Sequence, residues 1–157
     1  MKIFKKSCLL ISSFLLVFLF FSCSNPKYIN LSKKTSRYFY SQNLNKLMQT
    51  DEFKLTILDS NFYKELNVNN EDKLVVSKFL SSLSSNNFIN KPEDIPSKPI
   101  YKFFIKFSHD KYVINVFNEN LVSIFPWDAT HEEDYILIED VPIRYNLFNF
   151  ANNFFNK

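Results

Sequence analysis

The sequence contains no glycine in 157 residues, and this absence limits the turns that the chain can build. An average chain carries about 7% glycine, which supplies many of the backbone positions that need a positive φ. We expect asparagine and aspartate to occupy such positions here. Glycine-rich phosphate loops, glycine-dependent nucleophile turns and glycine helix caps are therefore excluded.

The N-terminal segment has the layout of an export signal. Three lysines, Lys2, Lys5 and Lys6, precede an apolar run from Leu9 to Phe21. A helix needs roughly 20 apolar residues to cross the hydrocarbon layer, so this run is short for a permanent span. The pattern predicts a cleaved signal peptide over residues 1–22, with a short uncleaved anchor as the alternative.

Cys23 stands just after the apolar run, and the small residue Ser22 separates it from Phe21. This segment resembles a bacterial lipobox, although Phe20 and Phe21 stand where leucine and a small residue are commoner. The resemblance implies that the Cys23 thiol forms a thioether to diacylglycerol and that Cys23 becomes the new N-terminus. Two acyl chains anchor stably where one is marginal. The other interpretation is an ordinary secreted protein cut nearby.

The charge and cysteine counts of the mature chain argue against a nucleic-acid partner and against an internal disulfide. Removal of the three signal lysines leaves 16 basic against 16 acidic side chains, which predicts no nucleic-acid partner. Only Cys8 and Cys23 are present, so a chain beginning at Cys23 has no internal disulfide and depends on its apolar core. We expect no cofactor, no bound metal and a monomer.

The periodicity of the mature chain predicts one α+β domain. Residues 23–50 are interpreted as a polar tether with a short helix near its end, and residues 51–157 as the domain. Alternating apolar residues predict strands at residues 53–58, 100–107, 111–117 and 121–125, with a short strand at 135–138. Apolar stripes predict helices near residues 70–83 and 142–157. We expect an antiparallel sheet of about four to five strands, packed by two helices on one face.

The loop after residue 126 is the candidate binding site, because it combines Trp127 with the acidic residues Asp128, Glu132, Glu133 and Asp134. Clustered carboxylates can hold Ca²⁺, but this spacing matches no calcium loop and there is no glycine for its bend. The simplest interpretation is a solvated loop. The tryptophan is interpreted either as a plug at the end of the core or as a platform for a ligand.

Other candidate sites in the sequence are weaker. His109 and His131 are 22 residues apart, and no zinc motif includes them. No serine is marked as a nucleophile, so no catalytic residue is predicted. Phe104 and Phe117 fall on strand positions that a one-sided sheet would leave exposed, as an apolar surface for a partner.

Three short motifs carry a resemblance to a known family: Pro126-Trp127-Asp128, Asp134-Tyr135-Ile136 and Tyr145-Asn146-Leu147. With the sequence around them, from about residue 53 to 155, the chain resembles a family of small uncharacterised lipoproteins of clostridia and related bacteria. A glycine often follows the Trp-Asp pair in that family, where this chain has Ala129. The resemblance implies location and domain identity, and it brings no catalytic residue.

The sequence therefore predicts a lipid-anchored domain on the outer face of the cytoplasmic membrane of a Gram-positive bacterium. The expected partner is the membrane itself, which the protein contacts through the lipid on Cys23. A non-enzymatic role in binding or in envelope maintenance is favoured. One alternative is a small envelope hydrolase that uses acids of the 128–134 loop. Another is an interaction or inhibitor module for a secreted or membrane protein.

Overall fold

The computed structural model describes residues 34–156, so the predicted signal peptide and Cys23 lie outside the described residues. The helices are α1 (Phe39–Thr50), α2 (Leu74–Ser82) and α3 (Leu147–Phe155). The strands are β1 (Lys54–Asp59), β2 (Lys64–Asn67), β3 (Phe88–Ile89), β4 (Tyr101–Lys106), β5 (Lys111–Val116), β6 (Leu121–Pro126) and β7 (Asp134–Leu137). Two short 3-10 helices span Ser85–Asn87 and Ile143–Tyr145.

All seven strands form one antiparallel sheet in the order β2-β1-β4-β5-β6-β7-β3. The predicted α+β class with an antiparallel sheet is confirmed. The predicted number of strands is wrong, because the described residues form seven strands and three helices. The two missed strands lie at the sheet edges: β2 is mostly exposed and β3 has only two residues. Neither shows the alternation that marks a half-buried strand.

One face of the sheet carries the main core. Ile57, Phe103, Ile114 and Ile124 are register partners across four neighbouring strands, and all four are fully buried. The helices contribute further fully buried side chains to the same cluster, among them Leu44, Phe79 and Leu147. All three helices therefore cover this face of the sheet, as strand alternation requires.

Helix α1 corrects the predicted boundary between tether and domain. Tyr40 and Leu44, one helical turn apart, are 4% and 0% exposed and belong to the main core. Residues from Lys34 onward form one compact unit with the sheet. Residues 34–50 are therefore part of the domain, since α1 buries an apolar stripe that a solvated tether would leave in water.

The opposite face of the sheet is covered at one corner by the loop between β3 and β4. Ile95 of this loop packs against a small cluster made of Phe117, Leu121 and Tyr135. The expectation that Phe117 is exposed is wrong, since its side chain is only 7% exposed. Phe104, on the part of this face beyond the cluster, is half-buried.

The turn between β1 and β2 shows how a glycine-free chain builds a tight reversal. Tyr63 has a φ of 53°, the single positive value among the described residues, so the expected asparagine or aspartate does not occupy this position. The Asp59 carboxylate accepts hydrogen bonds from the backbone N–H groups of Asn61 (2.8 Å) and Phe62 (3.2 Å). The side-chain cap holds the turn in a conformation that is costly for a bulky residue.

Candidate functional site

The loop between β6 and β7 separates the residues that the sequence grouped together. Trp127, at its start, is 65% exposed, and its backbone N–H donates to the Lys111 carbonyl at 2.8 Å. The Lys111 Nζ lies 4.1 Å from the centroid of the indole ring and 5.1 Å from that of Phe104. Of the two interpretations of Trp127, the core plug is wrong. The indole lies on the surface, where the ammonium group of Lys111 contacts its ring in a cation–π interaction.

Asp134 points the opposite way, into the core. Its side chain is fully buried, and its Oδ2 accepts hydrogen bonds from the backbone N–H (2.7 Å) and the hydroxyl (2.8 Å) of Ser41. Ser41 lies in the first turn of α1, where backbone N–H groups have no partner within the helix. Asp134 therefore caps α1 from a strand, and its negative charge lies at the positive end of the helix dipole.

Lys34 completes this cluster. Its Nζ lies 2.8 Å from Oδ1 of Asp134 and also donates to the backbone carbonyls of Glu132 (2.8 Å) and Glu133 (3.1 Å). The Tyr40 hydroxyl accepts a hydrogen bond from the His131 N–H at 2.8 Å. The start of the domain is thus bound to the 128–134 loop through the ammonium group of Lys34 and the phenol of Tyr40. We call Lys34, Ser41 and Asp134 the clamp.

The electrostatics of the clamp favour a structural role. Burial raises the pKa of Asp134, and the hydrogen bonds and charge of Lys34 and Ser41 oppose that rise. Both carboxylate oxygens already have partners in the protein, so neither is free to meet a substrate. Burial also raises the pKa of Tyr112 to about 12, with smaller contributions from Asp110 and Asp128. The tyrosine is therefore neutral and unsuited to acid–base exchange near pH 7.

The remaining acids of the loop do not form a carboxylate pair with Asp134. Glu132 and Glu133 border a surface depression of about 260 Å³, which the basic residues Lys34, Arg37 and Lys91 also line. Asp128 is exposed at the other end of the loop. Within residues 34–156, no group of three or more histidine, cysteine or acidic side chains is arranged to hold a metal ion. The loop brings its acids to three separate environments.

The family of the chain follows from a comparison that spans most of this domain. Residues 33–151 match a family described as "Domain of unknown function (DUF4883)". The chain belongs to the DUF4883 family. The matched segment begins one residue before Lys34 and includes α1, so the clamp lies within the family's domain.

A solved structure supports the same assignment for this DUF4883 chain. It is similar to a crystal structure described as "Putative Lipoprotein from Clostridium perfringens", with 38% sequence identity and a TM-score of 0.73. The match covers 80% of this chain and 100% of the crystallised one. The resemblance to clostridial lipoproteins is thereby confirmed. No curated protein matches the chain.

Two features of the DUF4883 domain have no counterpart in the sequence predictions. One is the clamp. Its only signal in the sequence is strand alternation, since Asp134, Ile136 and Ile138 stand at every second position and so share one face of the strand. The other is the tip of the β1–β2 hairpin, where Phe62 and Tyr63 are 82% and 79% exposed. Within residues 34–156, no helix is long and apolar enough to cross a bilayer.

Proposed function

We propose that the protein is a lipoprotein whose Cys23 carries diacylglycerol and holds the DUF4883 domain on the outer face of the cytoplasmic membrane of a Gram-positive bacterium. Its role there is binding or envelope maintenance, without catalysis. The observation that carries the proposal is the position of Cys23, just after the apolar run and Ser22, with ten residues between it and the start of the domain at Lys34. The similarity to a clostridial chain described as a lipoprotein supports it.

The length of the intervening segment fits this proposal. Residues 24–33 extend to at most roughly 35 Å, so a lipid on Cys23 keeps the domain within that distance of the bilayer surface. The domain itself has the apolar core and hydrogen-bonded start of an independent unit. Anchoring by two acyl chains needs no further contact from the protein.

The test of the anchor uses the two cysteines of the chain as a matched pair. Cys23→Ser should abolish labelling by a fatty-acid analogue and release the protein from the membrane fraction or leave an uncleaved precursor. Cys8→Ser, which lies in the apolar run, should label as the wild type does. A wild-type mature N-terminus at another residue, with no added lipid mass, would show that the anchor proposal is wrong.

The interaction alternative is supported by the exposed tip of the β1–β2 hairpin. Phe62 and Tyr63 lie side by side at the tip, and the Lys98 Nζ is 4.7 Å from the Tyr63 ring centroid. Lys98 also donates to the Ser60 carbonyl, so the tip is braced from a second loop. Exposed aromatic side chains on a braced turn can contact a protein partner at low entropic cost.

A photo-crosslinking residue distinguishes this alternative in intact cells. Placed at Phe62, it should give a discrete protein adduct. Placed at Leu74, which is 47% exposed on α2, it should give none. Equal labelling at both positions, or none at either, would count against a partner at the hairpin tip.

A further inference from the structure

We infer that the face of the sheet opposite the helices is a second membrane contact, which docks on an anionic lipid surface. This inference rests on the proposed lipid anchor, which brings the surface within reach. The register places Lys54, Lys106 and Lys111 side by side across β1, β4 and β5. Their side chains share the face that none of the helices α1, α2 and α3 covers, and Trp127 continues the row beside Lys111. We call this row, with Lys102 and Phe104 behind it, the basic sheet face.

The charge of this face differs from that of the domain around it. Of the 19 basic residues, 13 lie within residues 34–156, together with all 16 acidic residues, so the described domain has a net charge of −3. The strand positions on the uncovered face hold four lysines against one acid, Glu65 on the edge strand. Asp110 and Asp128 lie in the turns beside the row. A basic face on an acidic domain is attracted to an anionic surface.

The aromatic residues of this face suit a lipid headgroup layer. Trp127 is 65% exposed, while Phe104 is half-buried beside it. Tryptophan, with its apolar ring and polar N–H, prefers the membrane–water interface. Lys111 packs between the two rings and fixes their spacing, so little side-chain entropy is lost when the face meets a surface.

The point where the chain enters the domain supports a membrane as the occupant. Lys34 is held by the carbonyls of Glu132 and Glu133, in the same loop that begins at Trp127. The described domain therefore begins at the end of the sheet that carries the lysine row, and ten residues separate Lys34 from Cys23 in the sequence. A short tether gives the second contact a high effective concentration of lipid, so a weak surface interaction suffices.

Trp127 is the only tryptophan of the chain, so its fluorescence reports the contact directly. The mature lipidated protein is placed in vesicles that contain brominated acyl chains, either with about one-third phosphatidylglycerol or with phosphatidylcholine alone. Docking predicts that Trp127 is quenched and shifted to shorter wavelength only in the anionic vesicles. Equal emission in both lipid compositions would overturn the inference.

Matched charge variants test which face makes the contact. Residues 24–157 without lipid are titrated with the same vesicles, since the crystallised relative covers 80% of this chain as a folded domain. Lys54→Gln with Lys106→Gln should lower the partition coefficient about 30-fold, at about one kcal/mol per lysine. The control is Lys46→Gln with Lys78→Gln, which are exposed on α1 and α2 and should bind as the wild type does.

The outcomes separate this inference from the anchor proposal. If Cys23 has no lipid but residues 24–157 bind anionic vesicles through the basic sheet face, the docking inference stands alone. If Cys23 is lipidated but both double variants bind alike, the docking inference is wrong and the anchor remains. Binding of soluble polyphosphate without any binding to vesicles would also overturn it.

Discussion

Replacement of Asp134 by alanine should destabilise the domain by about 3 kcal/mol. The carboxylate is fully buried and accepts two hydrogen bonds from Ser41, at 2.7 and 2.8 Å. A hydrogen bond to a charged group contributes about 1.5–3 kcal/mol, and a buried donor that loses its acceptor costs a further penalty. The relief of burying a charge offsets part of this loss, because burial raises the Asp134 pKa even against Lys34.

The asparagine variant separates the hydrogen bonds from the charge. Asp134→Asn retains an acceptor in the position of Oδ2, so both bonds from Ser41 can persist while the ion pair with Lys34 is lost. Lys34 is 20% exposed and can still donate to two carbonyls, so its charge is not stranded. Because burial raises the Asp134 pKa even beside Lys34, loss of the charge is not itself costly, and we expect asparagine to change stability by less than about 1 kcal/mol, well below the loss for alanine.

Urea denaturation of residues 24–157, followed by circular dichroism, measures both values. Asp140→Asn serves as the control, because Asp140 is exposed in the turn after β7 and should change stability by no more than about 0.5 kcal/mol. The reasoning would be refuted if Asp134→Ala cost less than about 1 kcal/mol. It would also be refuted if the asparagine and alanine variants were equally unstable, since the Ser41 hydrogen bonds would then contribute nothing.

Three further predictions follow from the core and the clamp. Leu44→Ala should cost about 3 kcal/mol in the same urea assay, because Leu44 is fully buried in the main core; a cost near zero would mean that α1 does not pack on the sheet. A chain that begins at Lys34 should unfold in a cooperative transition, whereas one that begins at Asp51 should not. Equal transitions for the two chains would mean that the domain folds without α1. Because the folded-state pKa of Asp134 is raised above 3.8, its protonation stabilises the fold below that pH, and this contribution is lost as the pH rises through the raised value. The unfolding free energy of the wild type, relative to that of Asp134→Asn, should therefore increase as the pH falls from 7 towards 4. A relative decrease over this pH range would contradict the raised pKa.

The strands that were predicted from sequence are those that bury at least one face. Alternation of apolar residues in β1 and β4 is strong, because each strand lies inside the sheet with one face against the helices. The segment of β2 has no such signal, since an edge strand pairs on one side only and here stays mostly exposed. The two residues of β3 are too few for any period to be detected.

The candidate site was harder to predict than the sheet, for a physical reason. Asp134 stands in a run of acids, and a run of acids usually indicates a solvated loop. Its burial depends on partners that are more than 90 residues away, at Ser41 and Lys34. Nothing local in the sequence indicates that an ammonium group and a helix start will meet this carboxylate. Trp127 was identified as a candidate because a lone tryptophan beside a loop is visible without tertiary information.

The clamp also determines how the domain bears mechanical load. Any pull on the N-terminal segment enters the domain at Lys34, whose ammonium group is held by Asp134 and by two carbonyls of the adjoining loop. The force therefore passes at once into β7, a strand paired on both sides within the sheet. To peel α1 away, the load must break the ion pair and the Ser41 hydrogen bonds together. A domain built in this way resists unravelling from its N-terminal end.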